Sequence, residues 1–389
     1  MRFASSPERA AMSLAAFADD SPQAQRYNKI HRRLGIADAM LGIAMLIVLL
    51  VTGWTKKLAH FSLVVVANDH YLIGLFVYVL FLLLAGKILS FGLDYYAFRL
   101  ENEYHLSNQK LGSWVWDQFK GFLVGLVLAS ILAELLYALI LFFPQGWWLI
   151  AWASFLALAV FFAQIAPVAL FPIFYKFRPL EDDALRERLT SLGKRAGTNV
   201  RGVYEWQLSE KSNKANAALT GLGNTRRIIL ADTLLKNYSQ DEIEAVLAHE
   251  LGHHVHKHIF KSIVVQAVIT FIGFWAVKMV LRWAVLDQGW FTRDYDFANL
   301  PLIVLLATMM SLLLTPVMNA YSRFNERQAD RYAWEAIPST APFVTAMNKL
   351  AEQNLSERTP ARWVEVLFHS HPPISKRISA AEQWAREKN

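Results

Sequence analysis

The chain has 389 residues, 54% hydrophobic and 13% aromatic, with a formal net charge of +7 and no cysteine; its mean hydropathy is +0.26. So apolar a composition excludes an ordinary soluble protein. Without cysteine there is no disulfide framework, thiol nucleophile or thiolate metal site, and any metal must be held by His, Asp or Glu. The basic residues flank apolar runs, where they orient membrane helices, so the positive charge points to a lipid bilayer and not to nucleic acid.

The first 30 residues are largely polar and mixed in charge, with Glu8, Arg9, Asp19, Asp20, Arg26 and Lys29. They lack the long apolar stretch of a cleavable signal peptide. Residues 1–34 therefore read as a polar N-terminal tail, followed by a membrane helix that is retained. Six segments are long enough to cross about 30 Å of hydrocarbon. Four lie within 35–172: Gly35 to Trp54, Tyr71 to Leu93, Gly121 to Phe143 and Trp147 to Pro172. Two lie within 259–320: Ile259 to Val285 and Ala298 to Ala320. Counting Lys and Arg in the loops puts the N-terminus, the loop after the second span, the large insert and the C-terminus on one side, the cytoplasmic one; Lys56 and Lys57 on the other side count mildly against this.

The insert, residues 173–258, is the one sizeable polar region between spans. It opens with a helical pattern, Leu180 to Ala196. Strand candidates follow at Val203 to Leu208, Ala215 to Leu219 and Arg227 to Leu230, with Gly221 and Gly223 as punctuation. Ser239 is positioned as an N-cap, and Asp241, Glu242 and Glu244 fill the first helical turns, where the helix dipole favours acids. Ile243, Val246, Leu247 and Leu251 continue that helix at helical spacing.

On this helix lies His249-Glu250-Leu251-Gly252-His253. Two histidines four apart are about 40° apart around a helix axis, so both imidazoles can reach one Zn²⁺ from the same face. Glu250 beside the first ligand can take a proton from the attacking water. Catalytic zinc takes three protein ligands. A histidine six residues beyond the second ligand is excluded, because that position is Ile259. An Asp inside a later span is excluded, because the sixth span has no acid. A Glu on a later helix remains, and Glu326 fits, directly after the sixth span. Asp330, four residues on and on the same helical face, is placed to accept the second N–H of a ligating histidine. The competing reading makes Glu326 and Asp330 ordinary surface acids beside Arg323, Arg327 and Arg331.

Other polar residues stay open. His256 shares the face of His249, but His254 and His256 also suit a wet helix end. His369 and His371 precede Pro372 and Pro373, whose fixed φ would make a rigid turn. Lys87 and Glu134 lie inside spans, where charges are candidates for function; they can pair, line a water-filled space or reach an interface.

Taken together, these residues resemble the integral-membrane zinc peptidases of the CAAX prenyl protease 1 family. The resemblance rests on blocks in order between about residues 100 and 380. These are Tyr104 to Gln109 with Asp117, Lys120 and Gly121; Ser212 to Gly221 with Arg227 to Leu230 and Asp232 to Leu235; His249 to His253 with His258; Ser322-Arg323, Glu326, Ala329 and Asp330; and Ser370 to Pro373. It implies His249, His253 and Glu326 as ligands of one zinc ion per chain, Glu250 as base and Asp330 as support. It implies that Asn216 and Ala217 lie on an edge binding substrate backbone by strand addition. It implies His371 as donor to the substrate carbonyl or its oxyanion, and a barrel of membrane helices around a chamber. The usual count in that family is seven spans; six are read here.

The expectation is thus a mainly α, multi-pass membrane protein of about six transmembrane helices with a small α+β zinc metallopeptidase domain. Residues 321–389 would form a C-terminal catalytic region. The activity expected is peptide-bond hydrolysis at the cytoplasmic face of a bacterial inner membrane, on a peptide or protein substrate that is membrane-associated or lipidated. The alternatives are a quality-control membrane protease of the HtpX type, and a transporter or scaffold with a non-catalytic metal site.

Overall fold

Among the described residues, six helices are long and apolar enough to cross a membrane. The computed structural model describes residues 20–221 and 226–388. In chain order the membrane half has α1 (Pro22–Val51), α2 (Trp54–His60), α3 (Tyr71–Glu103), α4 (Leu111–Phe142), α5 (Trp147–Ile165) and the short α6 (Phe171–Phe174). The insert has β1 (Phe177–Pro179), α7 (Asp183–Arg195), β2 (Gly202–Trp206), β3 (Ala217–Thr220), β4 (Arg227–Ala231), α8 (Asp232–Asn237) and α9 (Gln240–Val255). Then follow α10 (His258–Arg282), α11 (Leu300–Ala336), α12 (Ala341–Gln353), α13 (Arg362–Phe368) and α14 (Ile374–Lys388).

Four helices run past the apolar segments expected of them, all toward the side that carries the insert. α1 begins at Pro22 rather than Gly35, α3 ends at Glu103 rather than Leu93, α4 begins at Leu111 rather than Gly121, and α11 ends at Ala336 rather than Ala320. Hydropathy marks where side chains stop being apolar; helix propagation adds one hydrogen bond per residue whatever the side chain. Residues 22–34 are therefore the polar stem of a helix and not a tail. Ser21 caps it by accepting from the Ala24 N–H, which satisfies one of the donors orphaned at a helix start. The stem is tied to the far end of the chain: Asn28 Nδ2 donates to the Leu355 carbonyl at 2.6 Å, and Arg32 pairs with Glu357 at 2.9 Å. Residues 1–19 of the expected tail lie outside the described residues.

The insert folds as a four-stranded sheet in the order β1-β2-β4-β3. β2 and β4 are parallel, and the outer pairs are antiparallel. β1 was not foreseen: at three residues it is too short to show an alternation. β3 forms one edge. Against the sheet lies α9, whose Ile243, Leu247, Ala248 and Leu251 are buried with Leu230, Leu234, Phe343 and Met347 in one apolar core. A second apolar cluster closes the far end of the membrane half around Tyr78, Tyr137 and Trp147. There the Tyr137 hydroxyl donates to Asn299 Oδ1 at 2.6 Å. A cavity of about 580 Å³ opens between α4, α5, α10 and α11, lined mainly by apolar side chains such as Ile269, Phe274, Met310 and Leu314. Lys87 donates to Asp94 and Gln118, both at 2.6 Å, so it does not pair with Glu134.

Candidate active site

Ser239 begins α9 with a reciprocal cap: its Oγ accepts from the Glu242 N–H, and the Glu242 carboxylate accepts from the Ser239 N–H at 2.7 Å. This fixes where the helix starts and hence the phase of every later side chain. One face enters the core, which turns His249 and His253 toward α11. The two helices touch backbone to backbone. A Cβ at Gly252 would lie 2.8 Å from the Ala329 Cα, closer than non-bonded carbon atoms tolerate, so only glycine permits this approach.

The approach brings three ligand side chains together. His249 Nε2 is 3.2 Å from Glu326 Oε2, His253 Nε2 is 3.3 Å from Glu326 Oε1, and the two imidazole Nε2 atoms are 3.3 Å apart. Ligands held about 2.0–2.1 Å from a tetrahedral centre stand roughly 3.3 Å from one another, so the triangle has the size of a zinc site and its N, N, O donor set is a zinc set. Glu326 Oε2 is also buried with no hydrogen-bond donor. Such an atom is costly to leave unpaired, and a cation bonded to it removes that cost.

Around the triangle, His249 Nδ1 lies 2.8 Å from Asp330 Oδ1. Asp330 in turn accepts two bonds from Arg377 of α14, at 2.9 and 2.6 Å. Both Asp330 and Arg377 are enclosed, and removing one member of such a pair strands a buried charge. Arg377 was missed by sequence reasoning: it lies 47 residues beyond Asp330, and no local pattern marks it. Glu250 projects beside the triangle, where burial raises its carboxyl above the ordinary carboxylate value. His371 reaches the same place from the C-terminal region, its Nε2 3.3 Å from Glu326 Oε1. Arg323 holds the loop carrying it by donating to the carbonyls of Glu365 and His369 at 2.9 and 2.6 Å.

A cleft of about 620 Å³ runs from the triangle along the β3 edge, with Asn216, Ala217, His249, Glu250 and His371 among its walls. On the opposite side, Glu250 and His253 also border a second cavity of about 560 Å³. That cavity shares Gln266 and Met318 with the apolar one inside the membrane half. The structure thus brings His249, His253, Glu326 and His371 together, with Asp330 on the far nitrogen of His249 and with Asn216, Ala217 and Glu250 on the walls of the adjoining cleft. His254 and His256 do not join them: His254 Nε2 faces Arg226 Nη1 at 3.2 Å, and the His256 ring stacks on that of His258.

Residues 179–385 match the model of peptidase family M48, and residues 9–176 match that of the CAAX prenyl protease N-terminal region, described as five membrane helices. The chain belongs to peptidase family M48. It is 31% identical over 363 residues to an uncharacterized metalloprotease, YhfN, of Bacillus subtilis, covering 92% of this chain and 85% of that protein. It is 28% identical over 322 residues to CAAX prenyl protease 1 of Saccharomyces cerevisiae, covering 78% and 71%. The crystal structure of S. mikatae Ste24p superposes with a TM-score of 0.81 at 24% identity, over 92% of this chain and 87% of that one, which shows a shared fold. This M48 protein is accordingly a multi-pass membrane zinc metalloendopeptidase that acts on peptide or protein substrates. With that, the transporter or scaffold alternative falls away.

Proposed function

We propose that this M48 enzyme cleaves membrane-associated or lipidated polypeptides at the cytoplasmic face of a bacterial inner membrane, using the triangle of His249, His253 and Glu326. The observation that carries the reading is that triangle with Glu250 beside it, between a polar cleft and a cavity that continues toward the membrane interior.

Zinc held by the three residues would supply Lewis acidity toward the scissile carbonyl and the attacking water. Glu250 takes the water's proton and passes it to the leaving nitrogen, a task suited to a carboxyl whose proton affinity burial has raised above the ordinary value. Asp330, fixed by Arg377, keeps the hydrogen of His249 on Nδ1 and so leaves Nε2 free. Asn216 and Ala217 offer backbone groups at a sheet edge, where an extended substrate adds as a strand. His371 donates to the oxygen that becomes negative during attack.

Replacing Glu250 by Gln removes the base and keeps the fold. Zinc content should stay at one per chain while peptide hydrolysis falls about 10²- to 10⁴-fold. Turnover close to wild type in the zinc-loaded variant would reject Glu250 as base. Comparing membrane proteomes of cells carrying wild type and Glu250→Gln would identify the substrate. Stabilisation of lipid-anchored or membrane-associated proteins supports the reading, whereas a broad set of damaged membrane proteins favours quality control of the HtpX type.

A further inference from the structure

Each imidazole of the triangle needs a partner for its second nitrogen, because that partner decides which nitrogen carries the hydrogen. For His249 it is Asp330. For His253 the structure offers His258, whose Nδ1 lies 3.0 Å from His253 Nδ1. The other nitrogen of His258, Nε2, lies 2.9 Å from Gln328 Oε1. His258 is 3% exposed, and burying an imidazole is tolerable only when both nitrogens are bonded, as they are here.

The polarity of this chain of bonds follows from its two ends. An amide oxygen only accepts, so His258 Nε2 carries the hydrogen and donates to Gln328. His258 Nδ1 is then a lone pair and accepts from His253 Nδ1–H. His253 Nε2 is left bare and faces the triangle. The opposite polarity would put a hydrogen on His253 Nε2 and aim it at the triangle, which no metal ligand can do.

The backbone is shaped for this contact. In an unbroken helix, a residue five beyond His253 would lie about 140° away around the axis. Lys257 takes a left-handed conformation, φ 56°, which ends α9 and lets α10 restart at His258 beneath His253. Gln328 sits between Glu326 and Asp330 on α11, so one short stretch of that helix supports both imidazoles.

We propose that His258 and Gln328 are positioning residues that fix the tautomer and orientation of His253 through this relay. The proposal rests on the reading of His253 as a metal ligand. The test uses the purified full-length protein, measuring zinc affinity by chelator competition and the absorption spectrum of the Co²⁺-substituted form. Gln328→Met keeps volume and removes the acceptor; His258→Phe keeps a ring and removes the relay. Each is expected to weaken zinc affinity about 10- to 100-fold and to shift the Co²⁺ spectrum, while Gln328→Glu, which still accepts, keeps affinity at or above wild type. Zinc affinity of Gln328→Met within twofold of wild type, or Gln328→Glu as weak as Gln328→Met, would overturn the relay. His253→Ala separates the two levels: if it retains zinc, the ligand reading itself fails; if it loses zinc while Gln328→Met does not, only the relay fails.

Discussion

The two halves of this molecule use apolar residues in opposite ways. In the catalytic half, Leu247, Ala248 and Leu251 of α9 are no more than 1% exposed and pack against the sheet, α11 and α12. In the membrane half, none of the most apolar window of the span Trp147–Phe174 is buried within the protein, and the helices leave an apolar cavity between them. Their outward faces have lipid as a partner, so burial against protein is not what keeps them helical; satisfied backbone hydrogen bonds in a water-poor medium are. One half is built to hold interatomic distances to a few tenths of an ångström, the other to hold a space.

Substitutions can break or sharpen this contrast, with unfolding followed in detergent. Arg377→Met strands the Asp330 carboxylate in the catalytic half and should cost about 3–5 kcal/mol, with weaker zinc retention by elemental analysis. Unchanged stability would mean that Asp330 finds another partner. Leu247→Ala empties a filled site and should cost about 2–5 kcal/mol. Gly252→Ala inserts one methyl between α9 and α11 and should cost about 1–3 kcal/mol, while lowering zinc content more than Leu247→Ala does. Leu314→Ala, on the cavity wall, enlarges a space that already exists and should cost about 1 kcal/mol or less, because no new void forms in packed surroundings. If Leu314→Ala proves as damaging as Leu247→Ala, the membrane half is packed as tightly as the catalytic half and the contrast is lost.

How far the sequence could be read follows the same division. The spans were legible because hydropathy is the property the bilayer selects. The motif helix was legible because capping, acid placement and periodicity agree over its whole length. Glu326 and Asp330 could be found because a zinc site needs a third ligand, and the rules left one kind of place to look. Arg377 and the contact of Gly252 with Ala329 could not be found, since they depend on how distant segments meet. The polar stem of α1 was missed for a related reason: what anchors it is contact with Leu355 and Glu357, and composition alone does not show contacts.

The backbone contact at Gly252 also sets an order of events in synthesis. The triangle is closed by two helices meeting, and the second of them, α11, emerges from the ribosome after the first. A nascent chain that has already displayed His249 and His253 has no Glu326, no Asp330 and nothing for Gly252 to rest against. Competence to hold zinc therefore arrives only once α11 has been made and has docked on α9.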